Sequence, residues 1–255
     1  MKYTDLIFDL YGTLVNIHTE ESELVWEKTA IFFGFYGGAY TPAELKTAFL
    51  EELRSREIQA GQSYECYPDI PVEQIMAQLF MRKNVPNAQM LGLQAAQLFR
   101  ISSIEYICLY PNVLQALSQL RACGYRLWLL SNAQRAFTAY ELRYLGLDQA
   151  FDGIYISSDY GCRKPDSRFY KALVEDQKLD ISKCLMIGND RFTDIAGAEK
   201  VGMASLYVHT NLTPPDQTAA DPALHPERRS ADCCRWEYEG SDWHELVDML
   251  QSICQ

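Results

Sequence analysis

Asp9 ends the apolar run Leu6-Ile7-Phe8, and Tyr11-Gly12-Thr13 follows it. A carboxylate at the end of a buried strand can serve as a nucleophile. Gly12 lets the backbone turn sharply there, and Thr13 can aim a hydroxyl at the same spot. Two other polar pairs stand in the same kind of place. Ser131-Asn132 ends Leu127-Trp128-Leu129-Leu130, and Asn189-Asp190 follows Leu185-Met186-Ile187 after one glycine. If the apolar runs are parallel strands of one sheet, these residues converge at one edge although they are far apart in the chain. Open α/β sheets bind their ligands beyond that edge.

The rest of the chain supplies the elements such a sheet needs. Apolar runs at 125–132, 153–158, 183–187 and 204–208 predict strands, with a short edge strand at 236–238. Helical stretches at 111–121, 137–145, 166–177, 194–201 and 241–253 alternate with them. This alternation predicts an α/β fold, a doubly wound and mostly parallel sheet with helices on both faces. Between the first two strands the pattern changes. Helical spacing runs from Glu20 to Phe35. Thr41-Pro42-Ala43-Glu44 starts a helix to about Gln59, with a cap, a first-turn proline and a glutamate three on. Further helices are predicted from Asp69 to about Lys83 and over Asn87 to Ile104. So residues 17–105 are expected to form an inserted helical cap, with 1–16 and 106–255 as the core. The aromatic stretch Phe32-Phe33-Gly34-Phe35-Tyr36 suits cap core or a dimer contact. Residues 211–232, rich in Pro, Asp, Ala and Thr, read as a long surface loop.

Composition narrows the partners. The chain has 255 residues, 48% of them hydrophobic, and a formal charge of −11. That charge disfavours nucleic acid and anionic membranes as partners. A small anionic substrate at a local basic site remains compatible with it. No export pattern or membrane span is present, so a cytoplasmic protein is expected, monomeric or homodimeric, with its eight cysteines as free thiols. The four histidines show no ligand spacing.

Asp9-Leu10-Tyr11-Gly12-Thr13-Leu14 resembles the first motif of the haloacid dehalogenase superfamily, in the tyrosine form of its 2-haloacid dehalogenases. The later motifs follow in order. Ser131 resembles the second-motif hydroxyl that binds the substrate oxyanion. Lys164, in Cys162-Arg163-Lys164-Pro165-Asp166, resembles the lysine that holds nucleophile and phosphate. Gly188-Asn189-Asp190 through Asp194 resembles the acidic motif that carries Mg²⁺. The resemblance implies Asp9 and Lys164 as catalytic residues, and Thr13, Ser131, Asn132 and Tyr11 around the substrate. It implies Mg²⁺ on the Asp9 carboxylate, the Tyr11 carbonyl, and Asp190 or Asp194.

Tyr11 departs from the phosphatase pattern, in which an aspartate two positions after the nucleophile protonates the leaving group. A phenol with a pKa near 10 is a poor substitute at neutral pH. A halide leaving group needs no proton, which favours a dehalogenase. Against that reading, the acidic fourth motif looks metal-binding, and the early cap has no arginine to receive a halide; Arg54 and Arg56 come later. The expectation is a Mg²⁺-dependent phosphatase of small metabolites acting through an aspartyl-phosphate. The alternatives are a 2-haloacid dehalogenase and a ligand-binding or regulatory protein with weak turnover.

Overall fold

The computed structural model describes residues 1–61, 66–214 and 236–254. In chain order, β1 (Asp5–Phe8) and β2 (Val15–Thr19) are followed by α1 (Glu23–Phe35), α2 (Pro42–Ala60), α3 (Val72–Arg82), α4 (Ala88–Ser103) and β3 (Ile104–Leu109). Then come α5 (Val113–Ala122), β4 (Arg126–Ser131), α6 (Arg135–Tyr144), β5 (Gly153–Ile156), α7 (Ser157–Tyr160) and α8 (Ser167–Asp176). β6 (Cys184–Gly188), a π-helical turn (Arg191–Ala196), α9 (Gly197–Lys200), β7 (Ala204–His209), β8 (Trp236–Glu239) and α10 (Trp243–Cys254) complete the order.

One sheet has the strand order β5-β4-β1-β6-β7-β8, and every pairing in it is parallel. β1 sits inside it, paired on both sides and buried along its whole length. A strand covered on both faces has no polar side, which is why Leu6-Ile7-Phe8 is an unbroken apolar run. Leu6 and Phe8 pack with Leu117 and Leu120 of α5 and Trp243 and Leu246 of α10. Ile7 points the other way, into Phe169, Tyr170 and Leu173 of α8. From β1 the chain winds outward to β4 and β5, then returns to β6 on the other side of β1. The reversal leaves a crevice at the carboxyl end of β1, where ligands of such sheets bind.

Helices α1–α4 bury a separate core that includes Trp26, Phe33, Leu79, Phe80, Leu91 and Phe99. Thr41 makes the expected capping box with Glu44. The Phe33 ring stacks on Phe80 at 3.8 Å inside this core, while Phe35 and Tyr36 are exposed.

The chain enters and leaves this helical lobe through β2 and β3, which pair antiparallel. Residues 17–105 are therefore not helical throughout; each end is a strand. β2 and β3 are only partly buried and find each other across the whole lobe. Val15-Asn16-Ile17-His18-Thr19 alternates as a half-buried strand does, but nothing local pairs it with β3. Two helix starts also differ from expectation. Asp69 does not begin α3, which starts after Pro71 without a side-chain cap. The helix expected from Asp194 begins earlier, as the π-helical turn, because the Asp190 carboxylate caps the amides of Phe192 and Thr193. The expected surface loop lies outside the described residues from 215 onward. Its described start is tied down, with the Tyr110 hydroxyl donating to Asn211 Oδ1 at 2.7 Å. The six described cysteines are free. No described helix is long and apolar enough to cross a membrane.

Candidate active site

Asp9 leaves β1 still joined to the sheet, its amide donating to the Ile187 carbonyl at 2.9 Å. The chain then folds back in a tight turn, with the amides of Leu14 and Val15 on the Leu10 carbonyl at 2.8 and 2.9 Å. Gly12 has φ +84°, and a Cβ there would lie 2.2 Å from Asn189 Nδ2. Gly188 is constrained in the same way, since a Cβ would fall 2.2 Å from Asp194 Oδ2. Gly12 lets the acidic loop close on the nucleophile loop, and Gly188 lets Asp194 fold back against the end of β6. Gly12→Ala is expected to lower stability by at least about 1–3 kcal/mol through backbone strain alone. Urea denaturation checks this, and an unchanged midpoint would contradict it.

Lys164 is the centre of the cluster. Its ammonium is 1% exposed and lies 2.7 Å from Asp9 Oδ1 and 2.6 Å from Asp194 Oδ1. Burial alone would push this ammonium down; the attraction of Asp194 and Asp9 outweighs it and holds the pKa above the ordinary lysine value. Burial raises the Asp194 carboxyl, opposed by Lys164 and reinforced by the charges of Asp9 and Asp190. Asp9 and Asp194 thus share one ammonium, and the Asp190 carboxylate lies close enough to act on Asp194.

The other expected site residues divide into those that face open chemistry and those already engaged. Ser131 Oγ is buried and has no hydrogen-bond partner among the described residues. Asn132 is engaged. Its Oδ1 accepts from the Lys164 amide at 2.7 Å and its Nδ2 donates to the Lys164 carbonyl at 3.0 Å. Its amide therefore anchors the lysine loop. Thr13 is engaged as well. It is fully buried, its hydroxyl shared between Asp9 Oδ2 at 3.3 Å and Asn189 Oδ1 at 3.2 Å, so it braces the nucleophile from behind. Asp194 uses both oxygens, Oδ1 on Lys164 and Oδ2 on the Asp190 amide at 3.1 Å. Asp9 is engaged in the same way, Oδ1 with Lys164 and Oδ2 with Thr13, so Asp9, Asp190, Asp194 and the Tyr11 carbonyl are the oxygens a cation could draw on. They are hard oxygen ligands of the kind Mg²⁺ takes.

Tyr11 turns its phenol away from substrate chemistry. The hydroxyl donates to Glu141 Oε2 and lies 3.0 Å from Thr138 Oγ1. Arg100, from the helical lobe, grips the same Glu141 at 2.6 and 3.2 Å, and its guanidinium lies over the Tyr11 ring at 5.6 Å. Burial, then the charge of Glu141, push the phenol above its ordinary pKa. Arg100, Thr138 and Glu141 were not anticipated. The available signal was that Thr138 and Glu141 fall on the buried stripe of α6 with Leu142.

A second set of contacts ties the lobe to the lysine loop. Pro68 bridges Cys162 antiparallel, and the Arg163 amide donates to the Tyr67 carbonyl at 2.9 Å. Asp69 accepts from Gln134 Nε2 at 2.6 Å and from Ser157 Oγ. Away from this site, at the sheet edge, His209 Nε2 lies 3.3 Å from Glu237 Oε2 and 3.4 Å from Glu239 Oε1, three groups near enough to share a cation although the sequence shows no ligand spacing for His209.

A model of the haloacid dehalogenase-like hydrolase family matches residues 6–202. The glyceraldehyde 3-phosphate phosphatase of Pyrococcus abyssi is 25% identical over 202 residues, 79% of this chain and 79% of that protein. The enzyme of that name from Methanothermobacter thermautotrophicus is 31% identical over 104 residues, 41% of this chain. There the chain spans about half of the relative, 46% of its length. Among solved structures, the 2-haloacid dehalogenase of Pseudomonas syringae pv. Tomato superposes with a TM-score of 0.65 at 19% identity, covering 98% of this chain and 99% of that one. That likeness is one of fold. With the family match over most of the chain and the motif residues gathered at one sheet edge, the chain belongs to the haloacid dehalogenase-like hydrolases.

Proposed function

We propose that this hydrolase is a Mg²⁺-dependent phosphatase of small phosphate monoesters, with Asp9 as the nucleophile. The observation that carries the reading is the Asp9 carboxylate held by the buried Lys164 ammonium at 2.7 Å, with Asp194 on the same ammonium at 2.6 Å and the Asp190 carboxylate beside Asp194. The relatives named phosphatases support it. Asp9, the Tyr11 carbonyl, and Asp190 or Asp194 would hold the ion, which when bound offsets the repulsion between the Asp9 carboxylate and the phosphoryl oxygens.

An Asp9 oxygen attacks phosphorus, the bond to the leaving oxygen breaks, and an aspartyl-phosphate remains for water to hydrolyse. Lys164 fixes the attacking carboxylate. Ser131 Oγ donates to a phosphoryl oxygen that becomes its missing partner. The helical lobe acts as the cap, with its Tyr67–Asp69 segment lying on the loop that delivers Lys164. Carbon–halogen cleavage would need a cation open to halide. Arg100 is the cation beside Tyr11, and Glu141 holds it at two points.

Hydrolysis of p-nitrophenyl phosphate with Mg²⁺ and with EDTA, beside Asp9→Asn, tests the reading. Turnover that needs Mg²⁺ and disappears in the variant is expected. No turnover in either condition would overturn it, and chloride release from 2-chloropropionate would then select the dehalogenase. Because Tyr11 cannot supply a proton, aryl phosphates are expected to turn over faster than simple alkyl phosphates by about 10²–10⁴-fold, the usual worth of a general acid. Equal kcat for p-nitrophenyl and propyl phosphate would contradict that.

A further inference from the structure

Lys164 sits in the loop 161–166 between α7 and α8, and that loop is held from two sides. The core holds Lys164 itself, its amide and carbonyl both on the Asn132 side chain. The helical lobe holds the residues around it. Pro68 bridges Cys162 antiparallel, the Asp69 amide donates to the Gly161 carbonyl at 3.2 Å, and the Arg163 amide donates to the Tyr67 carbonyl at 2.9 Å. Beyond the lysine, the Tyr67 amide donates to Asp166 Oδ2 at 3.3 Å. The lobe segment thus lies antiparallel along the lysine loop, with contacts before and after Lys164.

Asp69 fixes that segment on the core. It is 8% exposed. Its Oδ1 accepts from Gln134 Nε2 at 2.6 Å, and its Oδ2 accepts from Ser157 Oγ. Gln134 also turns its carbonyl to the lobe, where it accepts from the Val72 amide at 2.9 Å. That amide opens α3, which has no side-chain cap of its own. Gln134 lies three residues after Ser131, the end of β4, and Ser157 directly follows β5. So a lobe carboxylate is bound at the carboxyl ends of two core strands, the edge that carries the site. Hydrogen bonds to a charged group are the stronger kind, and removing this carboxylate leaves two donors without it.

An ammonium held 2.7 Å from Asp9 Oδ1 depends on where its loop lies. A displacement of about 1 Å that arises far from the chemistry can lower a rate about 10²-fold. Resting on the phosphatase reading above, we infer that Asp69 is a positioning residue for Lys164: it seats the lobe's 67–69 segment on the lysine loop, so the docked lobe completes the site in addition to covering it.

The test is hydrogen–deuterium exchange of the 161–166 loop beside p-nitrophenyl phosphate kinetics, on the full chain, for Asp69→Ala and Asp69→Asn. In Asp69→Ala the Arg163 amide should exchange at least about tenfold faster than in the parent, as the loss of hydrogen bonds to a charged group gives. The amides of β1 and β6 should keep their parent rates, and kcat should fall about 10²-fold. Asparagine keeps the shape of the side chain. Its carbonyl can accept from Gln134 and its amide can donate to Ser157 Oγ, whose own proton has the Ala133 carbonyl 3.1 Å away. Asp69→Asn should therefore bring both exchange and kcat back to within a few fold of the parent. Gln134→Ala removes one of the two donors to Asp69 and should move the same readouts by less, which keeps the test open if Asp69→Ala does not fold. An unchanged Arg163 amide in a folded Asp69→Ala or Gln134→Ala protein overturns the inference, as does a faster amide with kcat unchanged. Exchange that rises equally in β1 and β6 marks a general loss of stability and overturns it too. Failure of the phosphatase reading shows separately, as no hydrolysis by the parent. The Arg163 amide then decides without turnover: faster in Asp69→Ala and restored in Asp69→Asn upholds the seating of the loop, and unchanged refutes it.

Discussion

Lys164→Met is expected to lower turnover of p-nitrophenyl phosphate by at least about 10³-fold, the upper range for losing one preorganised electrostatic group. The side chain fits the space, so the loss is of charge and hydrogen bonds. Asp9 would no longer be held at 2.7 Å from a cation, and Asp194 would lose its 2.6 Å partner. Breaking a buried pair on one side typically costs about 3–5 kcal/mol, because the remaining charge is uncompensated.

The same substitution has a signed pH dependence. A carboxyl whose folded pKa lies above the unfolded value of about 3.9 binds more protons when native, so its contribution to stability falls as pH rises from there through the folded value. Asp194 is already in this class, lifted by burial against the pull of Lys164. Without the lysine the lift grows. The variant's deficit, measured by urea denaturation in EDTA, should therefore be larger at pH 8 than at pH 5. Added Mg²⁺ should recover part of it, since a ligand of the native state stabilises by mass action. A deficit equal at both pH values would mean that Lys164 acts only by packing. Turnover within tenfold of the parent would remove it from the chemistry.

How far the site was legible in the sequence depended on where each residue sits. Asp9, Ser131 and Asp190 could be placed because each ends an apolar run, and a parallel sheet brings such ends together whatever lies between. The helical insertion was legible from the capping box at Thr41 and the loss of strand pattern. The ribbon of β2 and β3 was not, because its pairing spans the whole lobe and its strands are half exposed. Thr13 was placed at the right spot, but its second partner could not be read. Its hydroxyl completes a contact with Asn189, 176 positions away. Arg100, Glu141 and Asp69 were missed for the same reason, since each is fixed by a partner on another element. Tyr11 was singled out as the odd residue of its motif, and only the structure shows what holds it.

That holding arrangement determines what Tyr11→Asp should do. The phenol donates to Glu141, so its proton is directed away from any leaving group, and its raised pKa keeps it there. Tyr11→Phe should then leave p-nitrophenyl phosphate turnover within a few fold. An aspartate is too short to follow the phenol to Glu141, which keeps its two contacts with Arg100. Its carboxyl is instead positioned near the leaving oxygen, as in the phosphatase motif that the chain resembles. It is expected to raise kcat on simple alkyl phosphates by about 10²-fold or more, the lower end of general-acid effects. An acid and base pair should also appear in the pH–rate profile. The lost ring leaves a gap against Arg100, and a stability cost of about 3–5 kcal/mol is expected, as for large aromatic truncations. Thermal unfolding must therefore be measured beside the rates. A folded Tyr11→Asp protein with no gain on alkyl phosphates would show that the missing acid is not what limits them. A loss of more than about 10²-fold in Tyr11→Phe would show that the phenol takes part in the chemistry after all, since that is the size of effect a proton donor has.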